Sequence, residues 1–368
     1  MGIITGDRVN GAARWMTFFG IQFQPSELAK MAVIIVTAFI LSKFQEEDGA
    51  NPKAFKYIMW ITGIVFILIA PENGSTAMLL FGVVFLMMII GRVPWKQLLK
   101  LISIVGVIAV IFIGMIMVTP AKQYRDIPMM HRVETWQNRI KGFFKDKEAV
   151  PAAKYDIDKN AQIAHANIAI ASSNIIGKMP GNSVQRDFLS QAFSDFIFAI
   201  VIEELGLLGG GFVVVLYIWL LMRAGKIARK SEKAFPAFLV MGIAILLVSQ
   251  AMLNMMVAVG LFPVTGQPLP LISKGGTSTL INCAYIGMIL SVSRYVAEKE
   301  EQKKQEEETT AEVKLQAATQ ILLEHARGLV TAEAAGKPGN EDTLSEVSES
   351  IPTDETIPTE ASENNKSV

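Results

Sequence analysis

The sequence predicts an all-α, polytopic integral membrane helix bundle of about seven spans, interrupted by one long external loop and ended by a charged tail. Three observations predict it. Hydrophobic residues make up 51% of the 368 residues and charged residues only 18%, against roughly 25% charged in soluble domains. Runs of about 20 mostly apolar residues recur, the length a helix needs to cross a hydrocarbon core roughly 30 Å thick. Lysine and arginine gather in alternate short turns, the pattern that orients membrane proteins.

The spans fall at about 26–44, 56–71, 75–91, 98–119, 195–222, 236–259 and 277–295. The second is short, and residues 56–91 fit two spans around the Pro71–Gly74 turn better than one broken hairpin. Residues 1–25 are then an external segment, 26–119 hold four spans, 120–194 form the long loop and 195–295 hold three spans. Within the loop, 131–144 places Trp136, Ile140, Phe143 and Phe144 on one face of an interfacial helix. Residues 160–176 are a second, weakly amphipathic stretch. A long basic loop ordered by its own helices points to function rather than mere cover.

From Glu298 onward there are 17 acidic and 7 basic residues, leaving 17 acidic and 27 basic before it. The net charge of zero thus joins a basic apolar body to an acidic tail. Residues 296–329 read as a charged helix, and 330–368, rich in Glu, Ser, Thr and Pro, as a disordered tail that cannot offset its ordering entropy.

Basic residues mark the turns at Lys43–Lys56, Arg92–Lys100, Arg223–Lys233 and Arg294–Lys299, whereas the Pro71–Gly74 turn has none and 260–276 only Lys274. The basic turns and the C-terminus are expected to be cytoplasmic, with the first residues outside. Residues 1–20 lack the apolar core of a signal peptide, so an upstream start or an unusual first span is expected.

Ionisable groups inside spans are costly and are functional candidates by default. Glu27 and Lys30 lie three apart on one face, suited either to each other or to a substrate. Glu72 sits in an external turn, and Asp195 begins a span on its external side. Glu203 and Glu204 lie deeper and are expected to turn inward to backbone or polar groups. Gly206, Gly209, Gly210 and Gly211 allow close approach or a hinge. The irregular loop 260–278 carries three prolines and four glycines, so it must be buried in protein or line a wet cavity.

One cysteine and three scattered histidines exclude a disulfide framework and make a His- or Cys-rich metal site improbable. No Walker loop, nucleophile elbow or H-E-x-x-H occurs. What remains is a transporter, or an enzyme acting on a membrane-borne substrate with anionic groups outside. A basic cavity suits phosphate or pyrophosphate, and a carboxylate at its edge suits removal of a proton from a sugar hydroxyl.

Several strings carry a resemblance. Asn10-Gly11-Ala12-Ala13-Arg14-Trp15, Phe23-Gln24-Pro25-Ser26-Glu27-Leu28-Ala29-Lys30, Pro71–Ala77, Ser194–Ala199 with Glu203–Gly206, and Pro263–Gly266 with Leu269–Ser278 occur in that order. Together they resemble the signature of the SEDS family of cell-division, rod-shape and sporulation proteins, over residues 10–295. The resemblance implies a polytopic peptidoglycan glycosyltransferase that polymerises lipid II beside a class B penicillin-binding protein. The family's catalytic aspartate maps onto Asp195, and its Arg, Trp and Lys onto Arg14, Trp15 and Lys30.

It further implies that Asp195 acts as general base on the acceptor hydroxyl, while Arg14, Lys30, Arg132 and Arg186 balance the pyrophosphate charge of the donor. Mg or Mn could share that task, with no closed metal site in the sequence. Two departures are Lys274, where the family has tyrosine, and Leu189-Ser190, where it has Leu-Pro. Glu27 and Lys274 complete the candidate binding residues. The family carries further spans ahead of the first motif, which agrees with an upstream start. The long tail favours the division role at the septum, with division proteins as partners and no nucleic acid. A lipid II flippase, an elongation-type polymerase and a non-catalytic scaffold remain the alternatives.

Overall fold

The computed structural model describes residues 6–9, 12–18, 21–118, 161–189 and 192–334. The chain divides into a unit of residues 1–296 and a second of 297–368. The first unit opens on a three-stranded antiparallel sheet, β1 (Gly6–Val9), β2 (Ala12–Phe18) and β3 (Ile21–Phe23), in sequence order. These strands lie in the segment ahead of the first helix of a mainly helical bundle, with Asp7 opposite Trp15.

Helix α1 (Pro25–Lys43) starts with proline in its first turn, where the missing N–H costs nothing. Glu27 near its start and Lys43 near its end complement the helix dipole. A two-residue ladder, β4 (Gln45–Glu46) and β5 (Gly49–Ala50), turns the chain into α2 (Pro52–Ile90), capped by the Asn51 side chain on the Lys53 N–H at 3.0 Å.

α2 is not a straight rod. Asn73 is non-helical (φ −146°, ψ 73°), two residues after Pro71. The Phe66 and Phe81 rings lie 6.1 Å apart, where a continuous helix would separate them by about 22 Å. Ala50 N–H donates to Arg92 O at 3.2 Å, so the two ends of α2 meet. α2 is therefore a helical hairpin whose arms coincide with the expected stretches 56–71 and 75–91.

Helix α3 (Trp95–Val118) buries Leu98 and Leu101 and exposes Ile104, Val107, Ile108 and Ile111. Residues 119–160, with the expected helix at 131–144, lie outside the described residues. Helix α4 (Ala161–Ala171) falls inside the stretch read as weakly amphipathic. Helices α5 (Ile197–Lys230), α6 (Ala234–Ala258) and α7 (Gly276–Ala334) follow. Among the described residues, α1, α2, α5, α6 and α7 are long and apolar enough to cross a membrane.

α6 is the centre of the unit. Val240, Ile243, Ala244 and Leu246 are fully buried against α1 and α2, and Ala251 and Ala258 against α5. Outward residues such as Trp60, Leu68, Phe212 and Trp219 are large, apolar and exposed, as lipid-facing positions are.

The basic turns share one end. β5 bonds to Arg92, the Phe39 ring meets Phe235 edge-on, and Lys233 lies 5.8 Å from the centre of the Tyr295 ring. The other end holds the Asn73 bend, the loop 260–275 and the turn before α5, joined by Gln267–Thr76 and Asn254–Asp195 hydrogen bonds.

In the second unit, residues 297–334 are helical, with Thr309 and Thr310 hydroxyls bonded back to Gln305 O and Glu306 O. Residues 335–368, expected to be disordered, lie outside the described residues.

Candidate active site

Asp195 is half-buried in the turn that leads into α5. The cap position of that helix belongs to Phe196 and carries no side-chain cap. The Ser194 hydroxyl donates to Asp195 Oδ1 at 3.0 Å. The backbone beneath the carboxylate is held from three directions. Lys274 N–H donates to Phe193 O at 2.8 Å, the Ser273 hydroxyl to Ser194 O at 2.7 Å, and Asn254 Nδ2 to Asp195 O at 2.9 Å. The middle of the loop 260–275 is thus packed into protein, with Thr265, Gln267 and Leu269 buried, as irregular backbone in a membrane protein requires.

That loop is fastened on its far side as well. Asn254 Nδ2 also reaches Gln267 O at 2.8 Å, Gln267 Nε2 reaches Thr76 Oγ1 at 2.7 Å, and the Tyr217 hydroxyl donates to Pro270 O. One helical turn before Asn254, Gln250 Nε2 donates to Pro268 O at 3.1 Å while its Oε1 accepts from Lys30 Nζ at 3.0 Å. Lys30 in turn pairs with Glu27 at 2.7 Å. This ion pair is one of the two roles the sequence allows these residues. Lys30 is 0% and Glu27 5% exposed.

Beside the site, α5 breaks. Gly206 takes φ 71° and ψ −174°, which separates the helix into two segments. The orphaned backbone groups are met by the incoming segment 174–179. Lys178 and Met179 N–H groups donate to Glu203 O and Glu204 O, and Leu207 and Leu208 N–H groups donate to Asn174 O and Ile175 O. Gly177 lies so close that a Cβ there would sit 2.3 Å from Gly206 N. The close approach expected of the glycine-rich stretch is found at Gly206, where the helix also breaks.

Glu203 is fully buried and turns inward. It accepts from Lys178 Nζ at 2.7 Å, the Ser183 hydroxyl, and the Val184 and Gln185 N–H groups. Ser183 also accepts from Arg186 N–H at 3.1 Å. The segment that leads to Asp195 is thereby folded around one carboxylate. On its outer side, His165 Nδ1 lies 2.7 Å from Gln185 Oε1, and its ring stacks on Phe188.

Comparison with known proteins agrees with this arrangement. The family described as Cell cycle protein, which groups FtsW, RodA and SpoVE, matches residues 1–298. The chain belongs to the FtsW/RodA/SpoVE family. One relative, a probable peptidoglycan glycosyltransferase FtsW from Halomonas elongata, is 29% identical over 85% of this chain and 75% of its own. Another of the same description, from a Geobacter species, is 30% identical over 78% of this chain and 73% of its own.

Two solved structures share the fold of this family member. One, described as the structural coordination of polymerization and crosslinking by a peptidoglycan synthase complex, has a TM-score of 0.57 at 24% identity. It covers 80% of this chain and 76% of its own. Thermus thermophilus RodA has a TM-score of 0.51 at 24% identity, covering 79% and 72%.

In this family member the expected residues do not all converge. Lys274 is exposed, and its backbone joins the Asp195 turn. Arg186, 33% exposed at its side chain, bonds Asp187 at 3.3 Å and belongs to the Glu203 cluster. Arg14 and Trp15 lie on β2, with side chains outside the described residues, as is all of Arg132. Among the described residues no three His, Cys, Asp or Glu come together to hold a metal ion. Sequence reading missed Gln250, Asn254, Gln267 and Ser273. The signal for the first two was available, as a pair of amides four apart in an otherwise apolar helix.

Proposed function

We propose that this chain is a peptidoglycan glycosyltransferase that polymerises lipid II at the outer face of the bacterial cytoplasmic membrane, with Asp195 as general base. The observation that carries the reading is a half-buried carboxylate on a firmly held turn, at the end of the bundle opposite the basic turns. Relatives at 29% and 30% identity are described as probable peptidoglycan glycosyltransferases, which supports the same activity.

In the proposed step, Asp195 takes the proton from the 4-hydroxyl of the acceptor GlcNAc. The freed oxygen attacks C1 of the donor MurNAc. The bond from C1 to the pyrophosphate breaks, and undecaprenyl pyrophosphate leaves with the electron pair, inverting α to β. A carboxylate ionised at neutral pH can accept the proton as it is released. Arg14, Lys30, Arg132 and Arg186 are the cations assigned to the pyrophosphate, with Lys274 and Trp15, which neighbours Arg14 on β2, among the other binding residues. Glu27 completes the proposed binding residues, and its pair with Lys30 is tied to the loop 267–274 through Gln250. The proposed partners are a class B penicillin-binding protein and division proteins at the septum. The basic turns and the C-terminus are assigned to the cytoplasm by the positive-inside rule.

Purified protein reconstituted with labelled lipid II tests the reading. Asp195→Asn should fold normally and lose about 10²–10⁴-fold in polymerisation, the usual worth of a general base. A flippase would keep moving lipid between leaflets in that variant, and a scaffold would show no polymerisation in either form. Full polymerising activity of Asp195→Asn would remove the assignment.

A further inference from the structure

Asn254 is 1% exposed, and its single amide nitrogen bridges two backbone carbonyls that are distant in sequence, Asp195 O and Gln267 O. Both recipients are carbonyl oxygens, so only one orientation of the amide satisfies them. Its Oδ1 has no hydrogen-bond partner among the described residues. The side chain is spent on donation.

The bridge belongs to a larger arrangement. Phe193, Ser194 and Asp195 are consecutive, and the carbonyl of each is taken by a different donor: Lys274 N–H, the Ser273 hydroxyl and Asn254 Nδ2. Ser273 itself accepts from Leu269 N–H at 2.7 Å, which closes the loop on itself. Three fixed carbonyls in a row define the direction of the Asp195 backbone before its side chain is considered. The turn has no regular secondary structure of its own to do this, because helix α5 begins only at Ile197.

We propose that Asn254 is a positioning residue for Asp195, locking the turn 193–195 to the loop 267–274 so that the carboxylate meets the acceptor hydroxyl in reacting geometry. The proposal rests on Asp195 being the general base. Misplacing a reacting group by about 1 Å costs roughly 100-fold in rate, and loss of one donor beneath the turn permits a shift of that order. Asn254 touches no substrate in this account, and substrate binding is left intact.

The test uses the full chain in lipid nanodiscs with labelled lipid II. Asn254→Leu keeps the volume and removes the donor, while Asn254→Gln keeps an amide. The expected result for Asn254→Leu is a kcat lower by about 100-fold, with KM changed by less than about twofold and thermal stability near that of the parent. Asn254→Gln should recover part of the loss. Hydrogen exchange in peptides covering 192–197 and 267–274 should quicken at least tenfold, with α1 unchanged.

Ser273→Ala, which releases the neighbouring carbonyl, should show the same pattern and serves if Asn254→Leu does not fold. Parental kcat in a folded Asn254→Leu protein overturns the proposal. So does an activity loss that merely follows the folded fraction, or unaltered exchange at the two segments. Activity persisting in Asp195→Asn would instead overturn the general-base reading, while exchange in Asn254→Leu still reports on the lock.

Discussion

Lys30 Nζ and Gln250 Oε1 meet at 3.0 Å in the buried interior between α1 and α6, although 220 residues separate them in the chain. This contact links an ion pair at the start of α1 to the loop that carries the Asp195 turn. Gln250 hands the connection on through Pro268 O, and the next residue back, Gln267, is gripped by Asn254. Polar groups of α1, α2 and α6 thus meet on one loop.

The Glu27–Lys30 pair should contribute to stability mainly by cancelling charge. Removing one partner leaves an uncompensated buried ion, which costs about 3–5 kcal/mol. Lys30→Met should therefore unfold at clearly lower temperature in detergent. Glu27→Gln combined with Lys30→Met should regain most of the loss, because no charge remains. Thermal unfolding followed by size-exclusion chromatography reads both. A double variant as unstable as Lys30→Met alone would contradict the ion-pair account.

The hairpin in α2 makes a geometric prediction. Ala50 N and Arg92 O lie 3.2 Å apart, across the two ends of that hairpin. A backbone hydrogen bond between these residues brings their Cα atoms near the separation of about 4.4–6.8 Å that a disulfide accepts, so cysteines there are expected to pair. In a Cys283→Ser background, which removes the exposed native thiol, Ala50→Cys with Arg92→Cys should cross-link under mild oxidation. Proteolysis between the two arms should then leave a single band on non-reducing gels. Two free, fully labelled thiols would mean that the arms do not fold back.

Much of this architecture was legible in the sequence, for physical reasons. Apolar runs of membrane length announce helices because nothing else spans a bilayer with its backbone satisfied. The Pro71–Gly74 cluster marks the bend at Asn73, since proline removes a helix donor. Two carboxylates inside an apolar run had to find partners, and Glu203 did. Asp195 stood out only through its motif, because an aspartate before a helix is otherwise an ordinary cap residue.

Other features left little trace. β1–β3 are short, and their pairing register is not marked by any strong alternation in the sequence. Gln250 and Asn254 barely lower the apolar character of α6 and carry no charge, so a search for ionisable groups passes over them. Their partners lie on loop carbonyls whose positions the local sequence does not determine.

Glu203 gathers four donors from the segment 178–185. Glu203→Gln removes the charge and replaces one acceptor oxygen with a donor, so at least one of those groups is left facing another donor. Hydrogen bonds to charged groups are worth about 1.5–3 kcal/mol each. Lys178, 30% exposed at its side chain, can turn to solvent and soften the loss. The expected outcome is local loosening: faster limited proteolysis within 174–189 and reduced polymerisation, with α1 and α2 unaffected. Unchanged proteolysis in that segment would mean that Glu203 does not hold it.

Gly206 offers the sharpest contrast within one helix. Its φ of 71° with ψ of −174° is a conformation left almost entirely to glycine, and a Cβ there would fall 2.1 Å from Ile175 O. Gly206→Ala must both strain the backbone, at about 1–3 kcal/mol, and push away the segment that satisfies the broken helix. Straightening α5 would then expel residues 174–179 and free the Glu203 cluster. Gly225, further along the same helix, has nothing within 4 Å of an added Cβ, and Ala is favoured over Gly there by about 0.5–1 kcal/mol. Gly206→Ala should therefore lower thermal stability and polymerisation together, while Gly225→Ala should leave polymerisation unchanged and stability equal or higher. If both variants behaved alike in paired unfolding and lipid II assays, the break at Gly206 would not be the feature that holds this side of the site.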